Sequence, residues 1–135
     1  TYIREHYQLR AILESACAWL AAEEGVDISG IRDSYEESKA ALGKGDYSQY
    51  ASQNRDFHSE IWAAAGNKKM ENMIAELWNG LSMGNMVTEQ EYAKISIEEH
   101  GRIMDAIAAG DGERAKKEMY AHIMRSRDDM LTYYQ

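Results

Sequence analysis

Four side chains with ligand chemistry stand at spacings that suggest one site: Asn54, His58, His100 and His122. Asn54 and His58 are four residues apart, which on a helix places both on the same face, one turn above the other. His100 lies ten positions before Gly110, and His122 lies ten after Gly112. A helical hairpin folded at that turn brings the two imidazoles to the same height, facing each other. If the helix carrying His58 packs on the hairpin, three imidazole nitrogens and one amide oxygen converge, with positions left for water or the oxygens of a ligand. That donor set suits a borderline divalent ion: zinc first, with nickel, cobalt or manganese as alternatives. Each histidine taken singly also fits a hydrogen-bonded place in a core. Three of the chain's four on core-facing stripes of different helices favour the shared site, because buried imidazole is costly without partners. The fourth, His6, matches none of the others and reads as a surface residue.

The elements that must hold these residues are helices. The chain has no proline and no window of two-residue alternation rich in β-branched residues. Glycine and Asx punctuation divides it into about six stretches, predicting an all-α, antiparallel bundle. The first stretch runs from about Tyr2 to Glu24, with Leu9, Ile12, Leu13, Ala16 and Leu20 as its apolar stripe, and stops at Gly25. The second covers about Asp27 to Leu42. The third starts behind Asp46 as a cap candidate and carries Tyr50, Phe57, Ile61 and Ala65 to Gly66-Asn67, a pair suited to a left-handed C-terminal cap. The fourth carries Met70, Met73, Ile74 and Leu77 towards Gly80. Ala93, Ile97, His100, Met104 and Ile107 stripe the fifth. Asp111 caps the sixth, whose stripe is Ala115, Met119, His122, Ser126 and Met130.

Composition narrows the function. At 135 residues, with 44% hydrophobic and 28% charged residues, the chain reads as one folded domain spanning 1–135. A formal net charge of −8 has the wrong sign for gripping phosphates, so direct nucleic-acid binding by this chain is not expected. The lone Cys17, inside an Ala-rich run, cannot form an internal disulfide and reads as a small buried residue in a cytoplasmic protein. No stretch approaches the roughly 20 apolar residues of a membrane span, and no membrane partner is expected. Eight methionines and Trp19, Trp62 and Trp78 read as core filler. Glu98-Glu99 and the run Arg125 to Asp129 read as solvated helix faces, and Met86 has no assignable role.

Three segments carry a family resemblance: Leu9-Arg10-Ala11-Ile12-Leu13-Glu14; Asn54-Arg55-Asp56-Phe57-His58 running on to Ala65-Gly66-Asn67; and Glu99-His100 with Asp105 to Asp111, Ala115 and His122. They resemble the C-terminal FCD domain of the FadR branch of GntR-type transcription regulators, over essentially the whole chain. The resemblance implies a non-catalytic sensing domain in which Asn54, His58, His100 and His122 bind the metal. Asn54 stands where many members have Asp, so the site carries one negative charge fewer. Arg10 matches the family arginine that points into the cavity. Its implied role is to hold the carboxylate of a small organic or sugar acid, with a salt bridge to Glu14 as the alternative. Ser96, one turn before His100, adds a candidate hydroxyl contact for the effector. A homodimer is implied, as is DNA binding through an N-terminal domain outside this chain. A helical-bundle metalloenzyme and a dimerisation module without ligand are the competing readings.

Overall fold

The computed structural model describes residues 2–80 and 90–133, so Met86 lies outside the described residues. Six helices are present: α1 (Tyr2–Ala21), α2 (Ser29–Gly43), α3 (Tyr50–Ala65), α4 (Lys68–Gly80), α5 (Gln90–Ala108) and α6 (Gly112–Tyr133), with no strand among the described residues. The all-α expectation holds.

Local chemistry explains the boundaries. Gly66 ends α3 in the left-handed region at φ 76°, and Asn67 opens α4 by accepting the Met70 amide on its Oδ1 at 3.0 Å. The pair therefore splits its work, one residue closing a helix and the other starting the next. Gly66→Ala should cost about 1 kcal/mol, since a Cβ in this conformation is strained with no contact to repay it; thermal unfolding measures the loss. Asp111 caps α6 as expected, accepting the Arg114 amide at 3.1 Å. Asp46 does not cap α3. Its Oδ1 takes both the amide and the hydroxyl of Ser48, tying up a turn, and the helix begins only at Tyr50 with no side-chain cap.

α1 runs through the middle of the molecule, packing most extensively on α6 and also on α3, α4 and α5, while α2 closes over α3 and α5. α5 and α6 form the antiparallel hairpin about Gly110. Its register is marked by Arg102 Nε to Glu118 Oε2 at 3.3 Å and Tyr92 OH to Ser126 Oγ at 3.3 Å. The main core gathers Tyr7, Phe57, Ile61, Trp62, Ile74, Ile103, Met119 and Ile123. The stripes of α3, α5 and α6 turn inward as the periodicity indicates, with Tyr50, Ala93 and Ile97 forming a second, smaller cluster.

α1 departs from expectation. Leu9 and Ile12 are 42% and 55% exposed, and Leu13, Ala16 and Leu20 only partly buried. The buried face is instead His6, Tyr7, Arg10, Ala11, Glu14, Ser15, Cys17, Ala18 and Ala21. Small residues let α6 approach closely, and Arg10 and Glu14 pair with each other in the interior, while His6 Nε2, Arg10 Nη1 and Ser15 Oγ are buried without a hydrogen-bond partner. His6 is thus buried, not on the surface. Trp62 and Trp78 are core residues, but Trp19 is half-exposed beside Gly112 and Lys116, and Met73 of α4 is also exposed. Cys17 is buried as expected, its thiol pushed up to about 12 by burial and then by the charges of Glu14 and Glu71.

Candidate metal centre

α3 supplies His58, and the hairpin supplies His100 and His122. All three are at most 3% exposed, and one potential ligand atom from each lies within 4.8 Å of the others. Ring centroids are 5.3 Å apart for His58 and His100, 5.2 Å for His58 and His122, and 4.8 Å for His100 and His122. The spacing argument about Gly110 thus brings the predicted rings together. Phe57 stacks on His100 at 4.1 Å and 15°.

Two carboxylates stand behind the imidazoles. Glu14, completely buried on α1, accepts His58 Nδ1 at 2.6 Å and Trp62 Nε1 at 2.9 Å on Oε1, and Arg10 Nε and Nη2, each at 2.8 Å, on Oε2. Burial pushes the Glu14 carboxyl up, but Arg10 and His58 outweigh it and hold it well below the usual carboxylate range. Glu99 of α5 repeats the arrangement: it accepts His122 Nδ1 at 2.6 Å and Arg125 Nη2 at 2.6 Å. Burial of Glu99 is likewise overcome, by the His122 and Arg125 hydrogen bonds, and its carboxyl is lowered. Glu99 and Arg125 are therefore partly buried partners, contrary to their reading as solvated residues. Arg125 is also stacked over the Tyr92 ring at 4.8 Å and paired with Asp129.

Ionised carboxylates only accept, so they keep the proton of each facing imidazole on Nδ1. When both rings are neutral, the opposite nitrogens, His58 Nε2 and His122 Nε2, present lone pairs to each other across 3.3 Å. That separation is close to the roughly 3.3 Å edge of a tetrahedron of nitrogens about 2.0–2.1 Å from a zinc ion. Burial, followed by the facing His122 and His58, lowers the pKa of His100 well below the ordinary value; burial also takes His122 to about 4, with Glu99 opposing. Neutral imidazole is the metal-binding form.

The remaining predicted residues flank this cluster. Asn54 is partly buried one turn before His58, and its Oδ1 is buried without a hydrogen-bond partner. His100 Nδ1 is in the same condition, while its Nε2 lies 3.5 Å from the fully buried Ser96 Oγ. An orphaned amide oxygen one turn from His58 and an orphaned nitrogen on His100 are the donor types that a divalent cation would use. Arg10 points inward, 2% exposed and 4.4 Å over the Trp78 ring, and makes the Glu14 salt bridge that was its alternative reading. Its Nη1 stays buried and unpartnered.

His6 sits one turn before Arg10. Burial and then the Arg10 charge lower its pKa from 6.5 to about 4, against a smaller opposing effect of Glu14. The folded chain therefore resists protonating a histidine that the unfolded chain protonates, so stability is intact above pH 6.5 and lost as pH falls towards 4. His6→Gln should remove about 1–3 kcal/mol of that acid loss in metal-free protein, measured as the difference in urea unfolding between neutral and acid pH.

Glu14 and Glu99 are the members of the site that sequence reasoning missed. One signal was available for Glu14: it follows Arg10 by four residues, so an inward Arg10 carries Glu14 inward too.

The model of the FCD domain matches residues 5–125. The chain is 28% identical, over 98% of its length, to the HTH-type transcriptional regulator LutR of Bacillus subtilis (strain 168), and spans 64% of that regulator. Its fold is similar to that of the solved Streptococcus agalactiae GntR, with a TM-score of 0.76 at 22% identity, covering 94% of this chain and 58% of the other.

Proposed function

The chain belongs to the FCD domain family, and from that premise we propose that it is an effector-sensing domain that holds a divalent metal on Asn54, His58, His100 and His122 and binds a small organic or sugar acid beside it. The observation that carries this reading is the pair of imidazole Nε2 atoms 3.3 Å apart, each backed through Nδ1 by a carboxylate, Glu14 fully buried and Glu99 partly so. With both rings neutral, two buried acceptors face each other, an arrangement that a shared cation stabilises. Zinc suits these donors best; nickel, cobalt and manganese are the other candidates.

The acid is read from the unmatched donor and acceptor groups. A bound metal leaves positions for carboxylate oxygens, Arg10 Nη1 is a buried donor awaiting an acceptor, and Ser96 Oγ offers a hydroxyl. Because Glu14 already neutralises Arg10, the anion's charge is matched chiefly by the metal, and Arg10 contributes direction more than net charge. Asn54 in place of a carboxylate works the same way, leaving the site more cationic and more dependent on an anionic ligand.

Sensing, not turnover, suits the groups present: Glu14 and Glu99 are each engaged by several donors, so neither is free to take a proton from bound water. The relative named above is a transcription regulator. A ligand touching α1, α3, α5 and α6 together biases their packing, the kind of change by which binding here would alter operator affinity of an N-terminal DNA-binding region in a cytoplasmic homodimer. No helix among the described residues is long and apolar enough to cross a membrane.

Metal analysis of protein purified without chelator, followed by calorimetry with hydroxy acids, dicarboxylates and sugar acids, tests the reading. About one ion per chain, with acid binding that disappears on chelation, is expected. Protein that takes up no divalent ion and is indifferent to every acid would reduce this chain to a module without ligand.

A further inference from the structure

The exposed side of α1 is ordered. Tyr2, Glu5, Leu9, Ile12, Ala16 and Trp19 follow one another along α1 at alternating spacings of three and four residues, the period of a helix-pairing seam. Tyr2, Leu9, Ile12 and Trp19 are 64%, 42%, 55% and 50% exposed, so the seam faces outward along about 25 Å of helix. Burying large apolar groups is favourable, so Tyr2, Leu9, Ile12 and Trp19 exposed along one side of a helix mark a contact surface.

We propose that this seam is where a second copy of the chain docks, with the two α1 helices antiparallel across a two-fold axis near the midpoint between Leu9 and Ile12. Self-complementarity identifies the occupant. The seam is symmetric about that midpoint: antiparallel pairing sets Leu9 against the partner's Ile12, Glu5 against the partner's Ala16 and Tyr2 against the partner's Trp19, and each match recurs on the other side, as a two-fold interface requires. Shape agrees. Beside the Tyr2 end of the seam is a groove of about 370 Å³ lined by Tyr2, His6, Leu9, Met73, Glu76 and Leu77, where the partner's Trp19 indole would lie. Charge agrees as well, because Lys116 lies 5.9 Å from the Trp19 ring, at the end of the seam that meets the partner's Glu5. This inference deepens the self-association named above and is independent of the metal and the effector.

Sedimentation of the chain, alone and as variants with unchanged helical circular dichroism, tests it. The chain itself should be a dimer. Ile12→Glu puts two charges into the seam and should weaken the dimer at least about 100-fold. Glu5→Lys should weaken it less, and Lys116→Glu added to Glu5→Lys should restore it, a rescue that damage to the fold cannot mimic. A monomer at every concentration overturns both self-association and this surface. A dimer indifferent to Ile12→Glu, or a charge reversal without rescue, overturns the surface alone.

Discussion

Glu14→Ala should destabilise the chain by about 3–5 kcal/mol, the cost of breaking a buried ion pair from one side. Glu14 is completely buried and accepts from Arg10, His58 and Trp62 at 2.6–2.9 Å, so its removal strands a guanidinium and two N–H donors in the interior. Glu14→Gln keeps the volume but turns an NH₂ towards groups that are themselves donors, and should recover only part of the loss. Denaturant unfolding of metal-free protein measures both; a loss below about 1 kcal/mol for Ala would mean that Arg10 finds another partner or water. The same pairing fixes the acid behaviour. A depressed Glu14 pKa means that its stabilisation is complete above its ordinary value of 4.5 and is lost as pH falls below it, so Glu14→Gln should flatten the acid limb there.

The hairpin was legible because one local feature fixes it. A Gly-Asp-Gly turn between two strongly periodic stretches sets register for every residue equidistant from it, hence His100 opposite His122. The face of α1 was not legible, for a physical reason. Hydrophobic periodicity finds the most apolar stripe, and on α1 that stripe, Leu9 and Ile12, faces outward while the core side carries Arg10, Glu14, Ser15 and small residues. Charge misled in the same way at Glu99 and Arg125. Lone charges are usually solvated, and here the Glu99–Arg125 hydrogen bonds, the His122 Nδ1 contact, Asp129 and the Tyr92 ring make partial burial tolerable. Such partnerships join different helices and have no signature along one. The inward turn of Arg10 came from resemblance, whereas its engagement by Glu14 was readable from a four-residue spacing.

His100→Ala should lower divalent-metal affinity more than about 100-fold, exceeding the 10–100-fold cost of removing a group that only orients a ligand. The comparison variant is Glu99→Gln, which leaves the His122 nitrogens in place but weakens the acceptor that sets their tautomer, and should fall inside that smaller range. Asn54→Asp should move the other way, because it restores an anionic oxygen beside His58 without altering side-chain size. Competition against a chromophoric chelator ranks the set as Asn54→Asp above the unchanged chain, then Glu99→Gln, then His100→Ala. The ranking distinguishes coordination from packing. His100 is stacked on Phe57, so a purely structural role predicts that Ala costs stability with no selective effect on metal, and that Asn54→Asp, which buries a new charge, is destabilising whether or not metal is present. If the site holds a metal, the Asp variant is instead stabilised by added zinc more than the unchanged chain is, because binding only to the folded state converts affinity into stability.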